Sequence, residues 1–146
     1  MRLDIELHDT KAFSINNYYY GTRRIRTREA RGWGERIHRQ LAVYRYLMVD
    51  FFNEFDPNKH VLHCHIMFGM PNLFNKRGEV NHFAKDLSNI EKPLLDIVTG
   101  KKYFDRGEPT LNIDDKFITK LISEKVPSNS YNIKLSFTIE SIPDII

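Results

Sequence analysis

The sequence predicts a single α+β domain over residues 1–146, with a mixed β-sheet and helices packed against it. Three observations favour this class. Apolar and polar residues alternate near both ends of the chain, as they do in strands with one buried face. Between these ends, apolar residues recur every three or four positions over a long segment, which is the spacing of a helix. Along the chain, the predicted elements follow the order β-α-β-α-β-β.

Composition limits the class of protein. Hydrophobic residues make up 41% of the chain and charged residues 28%, which is sufficient for a core. Apolar runs stay well below the roughly 18 residues of a membrane span, and the charged opening segment does not resemble a signal peptide, so we expect a cytoplasmic protein. The single cysteine, Cys64, excludes an internal disulfide and a four-cysteine zinc site.

The first half of the chain predicts two strands and one long helix. Residues 2–8 alternate as a strand, whereas residues 10–26 lack a period and are interpreted as a loop that closes over a substrate. Thr27 is a suitable N-cap for a helix that ends at Asp56. Residues 61–68 predict the second strand. The apolar stripe of the helix consists of Ala30, Trp33, Ile37, Leu41, Tyr44, Met48, Phe52 and Phe55.

A shorter helix is expected in the second half. Ser88 and Glu91 have the spacing of a capping box, and Gly100 is a stop signal, so the helix should run from about residue 89 to 99. Pro93 then lies near the first turn, where a missing N–H is tolerated. Asp86 lies just ahead of this helix.

Two strands complete the predicted sheet. Residues 117–126 are apolar and β-branched, and residues 131–142 alternate regularly between apolar and polar side chains. A short link rich in turn-forming residues joins them. We therefore expect these two strands to pair as an antiparallel hairpin.

Basic charge is concentrated in one segment. The formal net charge is +3, but residues 22–45 hold eight arginines and two glutamates, so the rest of the chain is net acidic. Arginine suits bidentate phosphate contacts, and nearby aromatic residues are suited to stacking on bases. The alternative is a solvated helix face with ordinary arginines and with aromatic residues that belong to the core. The aromatic residues are Tyr18, Tyr19, Tyr20 and Trp33. The arginines that we assign to a DNA-binding surface are Arg23, Arg24, Arg26, Arg28 and Arg31.

Candidate catalytic residues lie on the second helix and just before the strand that follows it. Four polar residues share one helical face, and an acidic pair precedes the strand. Hard oxygen ligands beside a lysine suit Mg²⁺ or Mn²⁺ and a phosphodiester. Neighbours on a strand point to opposite faces, so only one member of the pair can face Asp86. The helical residues are Ser88, Asn89, Lys92 and Asp96, and the acidic pair is Asp114 and Asp115.

These motifs carry a resemblance to a known family. The order Asp86-Leu87-x-Asn89-x-x-Lys92-x-x-x-Asp96, then Asp114-Asp115-x-x-Ile118-x-x-Leu121 and Lys125-Val126-Pro127, is similar to the RusA-type Holliday-junction resolvases. These are small prophage-associated endonucleases. The motifs Ser14-x-Asn16-x-Tyr18 and Thr27-x-x-Ala30 fit the same family, and the likeness extends over about residues 2–142.

The resemblance implies a metal-dependent endodeoxyribonuclease that acts as a homodimer on branched DNA by phosphodiester hydrolysis. It implies that Asp86 and Asp115 bind Mg²⁺ or Mn²⁺ and that Lys92 is the catalytic lysine. Asn89 is expected to orient a ligand or a metal-bound water. Asp96 and Asp114 are supporting or spare ligands, and the alternative for Lys92 and Asp96 is a surface ion pair.

One position departs from the family pattern. Ser88 stands where the family usually has a second aspartate, which removes a negative charge from the expected metal site. Its hydroxyl either supports the metal or serves simply as the helix N-cap. The departure leaves open a second function, a junction-binding protein that retains the nuclease fold without cleaving DNA.

Histidines provide an alternative metal site. His63 and His65 lie two positions apart on the second predicted strand and therefore share a face. Together with His82 they define a third interpretation, a histidine-dependent metal hydrolase. Cys64 points to the other face and adds no ligand, so the preferred interpretation is that His63 and His65 pack in the fold or approach a phosphate.

Overall fold

The computed structural model describes residues 1–17, 19–20, 25–81, 86–100 and 108–143, with the backbone alone at 19–20 and 25–26. The predicted fold class is confirmed, because a four-stranded mixed sheet carries helices in one α+β domain. Within the described ranges, no helix has the length and apolar character needed to cross a membrane. The strands are β1 (Arg2–His8), β2 (Tyr19–Tyr20), β3 (Ile25–Arg26), β4 (His60–Met70), β5 (Ile118–Pro127) and β6 (Asn132–Ser141). The helices are α1 (Arg28–Leu41), α2 (Arg45–Glu54) and α3 (Leu87–Thr99).

The strands of the main sheet follow the order β1-β6-β4-β5. β6 pairs antiparallel with β1 and with β4, and β4 pairs parallel with β5. The predicted hairpin of β5 and β6 is therefore wrong, since β4 lies between them. The link after β5 passes the end of β4, where the amide of Ser128 donates to the carbonyl of Met70 at 3.2 Å. With neighbours on both sides, the inner strand β4 pairs its main-chain groups along both edges.

The long predicted helix is divided in two. Thr27 caps α1 as expected, accepting a hydrogen bond from the amide of Ala30 at 3.1 Å. A 3₁₀ turn at Ala42–Tyr44 separates α1 from α2. Tighter winding advances each residue further around the axis than an α-helix does, which changes the phase of the apolar stripe. As a result Phe51 is fully buried, and the prediction of Phe52 as a core residue is wrong because its side chain is exposed.

The described part of the segment 10–26 contains regular structure, in contrast to the predicted loop. It contains a 3₁₀ turn at Ile15–Asn17 and a two-stranded pair formed by β2 and β3. The 3₁₀ turn packs against α3. This part of the chain therefore contributes to the surroundings of the candidate site.

Side chains close the outer edge of β1. The hydroxyl of Tyr44 bonds both the amide and the carbonyl of Glu6, at 3.0 and 3.2 Å. The side-chain amide of Gln40 bonds both main-chain groups of His8, at 2.7 and 2.8 Å. Because these groups are already paired, the edge offers little to an incoming strand.

Candidate active site

The helix α3 positions most of the predicted site, but it starts earlier than expected. Asp86 occupies the N-cap position, and its carbonyl accepts from the amide of Asn89 at 3.1 Å. The capping box is wrong, because Ser88 lies exposed in the first turn and Glu91 instead accepts from the hydroxyl of Ser123 at 2.6 Å. Aspartate and serine are comparable caps, so local preference did not determine the start.

The earlier start also changes the position of Pro93. The residue lies inside α3 and is buried, contrary to the prediction that it belongs to the first turn. Since proline has no amide hydrogen, the carbonyl of Asn89 lacks its usual helical partner. The predicted stop is confirmed, because Gly100 adopts the left-handed conformation with φ 73° and donates to the carbonyl of Asp96 at 3.1 Å.

Lys92 connects two of the predicted carboxylates. Its ammonium lies 2.9 Å from Oδ1 of Asp96, one turn further along α3, and 3.3 Å from Oδ2 of Asp115. The side chain of Asp96 is only 4% exposed, whereas those of Lys92 and Asp115 are partly open to solvent. The ammonium therefore lies between a buried carboxylate and a solvent-accessible one.

The surroundings of Lys92 keep it charged. Burial by itself lowers the pKa of its ammonium, but the hydrogen bond and charge of Asp96, followed by those of Asp115, outweigh that effect and raise the pKa overall. At neutral pH this side chain is a cation and a hydrogen-bond donor. It cannot act there as a general base or an amine nucleophile.

A 3₁₀ turn decides which member of the acidic pair faces Lys92. The carboxylate of Asp114 caps this turn, accepting from the amide of Lys116 at 3.1 Å, while Asp115 contacts Lys92. The preceding segment is held beside α3, since the amide of Leu111 donates to the carbonyl of Val98 at 2.9 Å. The pair lies before β5, so strand alternation does not apply to it.

The remaining residues of the predicted site lie at the start of α3. Asp86 and Ser88 are exposed, and Asn89 is half-buried. The carboxylate of Asp86 makes no capping hydrogen bond. Among the described residues, no hydrogen bond or ion pair joins Asp86 to Lys92 or Asp115. The structure thus brings Lys92, Asp96 and Asp115 together and leaves Asp86 at the head of the same helix.

The chemistry of the donors can be compared with that of a metal site. No group of three or more histidine, cysteine, aspartate or glutamate side chains is arranged for a metal within the part of the chain that is described. Mg²⁺ is, however, commonly bound through one or two carboxylates, with water and substrate phosphate completing its shell. Asp86 and Asp115, both accessible to solvent, supply that type of donor. The two residues thus match the type of ligand that Mg²⁺ or Mn²⁺ takes, but they do not form a complete group of ligands.

The two histidines of β4 diverge toward different partners. His65 lies 2.9 Å from Glu124 of β5, and His63 lies 3.8 Å from Glu140 of β6. Because these glutamates belong to strands on opposite sides of β4, the imidazoles do not share an acidic neighbour. His82, the third histidine of this alternative, lies outside the described residues.

The predicted DNA-binding surface is described in part. Arg28 and Arg31 are exposed on α1. Arg23, Arg24 and the side chain of Arg26 lie outside the described residues, as do Tyr18 and the side chains of Tyr19 and Tyr20. Of the two interpretations of Trp33, its place in the apolar stripe of the helix is confirmed, and base stacking by this ring is not supported. Its ring is buried in the core, where its N–H donates to the carbonyl of Lys11 at 3.0 Å.

Two contributions to the site were not predicted from the sequence. Asp96 serves as the buried anchor of Lys92, for which spacing gave only a surface ion pair. Glu91 ties α3 to β5 through Ser123, a contact between residues far apart in the chain that no local pattern reveals. A carboxylate four positions from a lysine on a mostly apolar helix was the available signal for Asp96.

Comparison with known proteins adds no family assignment. A scan of the chain against protein-family models gives no match, and a search of curated proteins finds no similar sequence. The function must therefore be inferred from the residues of the site and their geometry.

Proposed function

We propose that the protein is a metal-dependent endodeoxyribonuclease that hydrolyses phosphodiesters in branched DNA such as four-way junctions. One observation carries this proposal. The ammonium of Lys92 is fixed between buried Asp96 and accessible Asp115, on the helix whose N-cap is Asp86. A cation that is anchored by a buried carboxylate and reaches an accessible one suits a reaction in which a metal and a phosphate must meet.

Each residue has a role that its chemistry suits. Asp86 and Asp115 would hold Mg²⁺ or Mn²⁺ through hard anionic oxygens. When bound, the metal supplies Lewis-acid polarisation of the phosphate and activation of water. Lys92 donates hydrogen bonds to a non-bridging or leaving oxygen as negative charge develops there. Asn89, half-buried one turn before Lys92, supports a ligand by hydrogen bonding.

Asp96 is a positioning residue in this proposal. Its buried carboxylate holds the lysine ammonium at 2.9 Å and leaves the remaining ammonium hydrogens for other acceptors. A lysine on a flexible stem otherwise samples many rotamers, which weakens any fixed contact with a phosphate. Because Asp96 holds the ammonium from its buried side, Lys92 is directed toward Asp115 and the solvent.

Arginine contacts would supply most of the DNA affinity. Arg28 and Arg31 are exposed, and they belong to the segment that also includes Arg23, Arg24 and Arg26. Such contacts bind phosphates of any sequence. The preference for four-way junctions, and a homodimer that makes two symmetric incisions, follow from the resemblance to the RusA-type resolvases.

A second candidate function is binding of branched DNA without cleavage. The observation that favours it is Ser88, which presents a hydroxyl from an exposed position in the first turn of α3 where the family usually has a carboxylate. One negative charge fewer weakens the attraction for Mg²⁺. Binding would persist in this case, because the arginines do not depend on the metal.

Cleavage of a labelled four-way junction in Mg²⁺ or Mn²⁺ tests the proposal. Asp115→Asn should reduce the rate by at least about a hundredfold, because a metal ligand should matter at least as much as the residues that orient one. The matched control is Asp114→Asn, in which the adjacent carboxylate belongs to a local cap. Binding without cleavage by the unaltered protein would favour the second candidate. Absence of both junction binding and junction cleavage would refute both candidate functions.

A further inference from the structure

We propose that the outer edge of β5 pairs antiparallel with the β5 edge of a second copy of this chain, so that two four-stranded sheets join into one. The proposal rests on the sheet edge and does not depend on nuclease activity. It assigns a surface to the self-association that the resemblance only implies. Three properties of β5 carry it, namely a bare main chain, exposed apolar side chains and a self-complementary order of charges.

Within the described part of the chain, the outer edge of β5 is long and unpaired. The strand spans ten residues, and among the described strands it pairs with β4 alone. From Thr119 to Glu124, no described residue outside β4 forms a hydrogen bond with the main chain. The opposite edge of the sheet differs, because Tyr44 and Gln40 occupy the main-chain groups of Glu6 and His8 in β1. A bare edge of this length is a template for pairing with another strand.

Apolar side chains remain exposed on both faces of β5. Leu121 is 39% exposed and Ile122 is 46% exposed. Neighbours on a strand point to opposite faces, so an added strand would cover part of both side chains. Removing this apolar surface from water favours association, in addition to the new main-chain hydrogen bonds.

The order of charges on β5 is complementary to itself. Lys120, Ile122 and Glu124 are alternate residues and share one face of the strand. An antiparallel pair with its two-fold axis at Ile122 places this residue opposite its own copy. Lys120 then faces Glu124 of the second copy, and the symmetry repeats the ion pair. Cross-strand pairs of opposite charge stabilise a sheet, whereas like charges destabilise it.

Registers with the two-fold axis at a neighbouring residue do not place Lys120 opposite Glu124. An axis at Leu121 or Ser123 places neither charge opposite its complement, and an axis at Lys120 or Glu124 places that charge opposite its own copy. Within the described part of one copy, Lys120 forms no ion pair. Glu124 already contacts His65, but its side chain remains 47% exposed and accessible to a second cation. The sequence therefore selects one register.

Charge exchange tests the pairing in the full chain. We expect a dimer at micromolar concentration by light scattering and sedimentation. Lys120→Glu and Glu124→Lys should each weaken association by about tenfold or more, since each substitution creates two like-charge contacts. The double variant K120E/E124K should restore it, because the two ion pairs re-form with reversed polarity. Lys134→Glu on β6 is the control for an equal change in net charge and should leave the dimer intact.

Symmetric cross-linking tests the register independently. Ile122→Cys should form an intermolecular disulfide on mild oxidation, because each introduced thiol lies opposite its own copy. Thr119→Cys should not, because the register places it opposite Lys125 of the second copy. The native Cys64 is buried and does not compete. Thermal unfolding of each variant verifies that the fold is retained.

The outcomes separate this proposal from the proposed function. A monomer at all concentrations, a dimer unaffected by the single charge changes, or failure of the double variant to recover would each overturn the β5 pairing. Loss of the Ile122→Cys cross-link with retained dimerisation would assign the interface to another surface. Junction cleavage is measured separately, so a failed interface leaves the nuclease proposal to its own test.

Discussion

Asp96 holds the ammonium of Lys92 at 2.9 Å from one turn further along the same helix, although the Asp96 side chain is almost completely buried. Burying a carboxylate is costly unless it is paired and hydrogen-bonded. Lys92 therefore stabilises the fold by pairing with the buried Asp96 carboxylate, and the same ammonium also contacts Asp115. This double role means that stability and activity must be measured separately for variants of Lys92.

Removing the charge of Lys92 should therefore destabilise the protein as well as inactivate it. Lys92→Met leaves the Asp96 carboxylate without its partner and should lower the free energy of unfolding by about 1–3 kcal/mol. The double variant Lys92→Met/Asp96→Leu should regain stability without activity, because no buried charge remains. Urea denaturation and junction cleavage give the two readouts. If Lys92→Met retained full stability, the proposed anchoring would be wrong.

The ionisation of Lys92 provides a second prediction. Its pKa is raised above the ordinary value of 10.5, so the stabilisation from its carboxylate partners is complete below pH 10.5 and is lost as pH rises through the raised pKa. Between pH 7 and 10 the ammonium should remain charged. Asp115→Asn removes one of the contributing charges and should lower this pKa. Titration of the Lys92 side chain by NMR measures both values, and an unchanged pKa in the variant would contradict the contact.

Local patterns predicted those elements whose causes are local. The alternation in β1 and the N-cap at Thr27 were identified because side-chain period and capping chemistry are properties of a few neighbouring residues. The position of β5 depends instead on β4, which lies far away in the sequence. A short link between β5 and β6 indicated a hairpin, and nothing nearby revealed that β4 separates the two strands.

The candidate site was predictable to a similar extent. Spacing on one helix brought Lys92 and Asp96 together correctly. It could not choose between Asp114 and Asp115, because the alternation of a strand was assumed where the chain forms a 3₁₀ turn. It selected Ser88 as the N-cap, which is wrong, because Asp86 caps the helix and both residue types are good caps.

The exposed position of Ser88 gives a third prediction. Ser88→Asp adds a carboxylate to the first turn of α3, where the helix dipole favours negative charge by about 0.3–1 kcal/mol, so folding should not suffer. If this residue faces the metal, Mg²⁺ binding should tighten and cleavage should accelerate. Ser88→Asn is the matched control, with similar shape and no charge. Calorimetric titration with Mg²⁺ and junction cleavage measure the effect, and equal behaviour of the two variants would exclude Ser88 from the metal site.

The exposed arginines of α1 give a fourth prediction. Replacing Arg28 and Arg31 with glutamine should weaken DNA binding regardless of sequence and reduce the salt dependence of log K by about 0.9 per lost phosphate contact. Fluorescence anisotropy over a range of salt concentrations measures the slope. Arg2→Gln, on the sheet face away from α1, is the control. A slope unchanged by the double replacement would move the binding surface away from this end of α1.

The end of α3 gives the fifth prediction, which connects the fold to the site. Gly100 and Gly78 both have positive φ, but a Cβ at Gly100 would overlap the side chain of Thr110, whereas a Cβ at Gly78 meets nothing. Gly78→Ala should therefore cost about 1–2 kcal/mol of stability from the backbone alone. Gly100→Ala should cost about 1–3 kcal/mol more stability than Gly78→Ala, because its Cβ also overlaps Thr110.

The Gly100 substitution should also affect cleavage. The chain after Gly100 returns through Thr110 to Leu111, whose amide is bonded to Val98 of α3, and then leads to Asp115. Displacing Thr110 shifts this segment relative to the helix and so loosens the contact between Asp115 and Lys92. Gly100→Ala should consequently lower the cleavage rate at temperatures where the variant is still folded, whereas Gly78→Ala should not. Equal cleavage rates in Gly100→Ala and Gly78→Ala would show that the segment from Thr110 to Leu111 does not position Asp115.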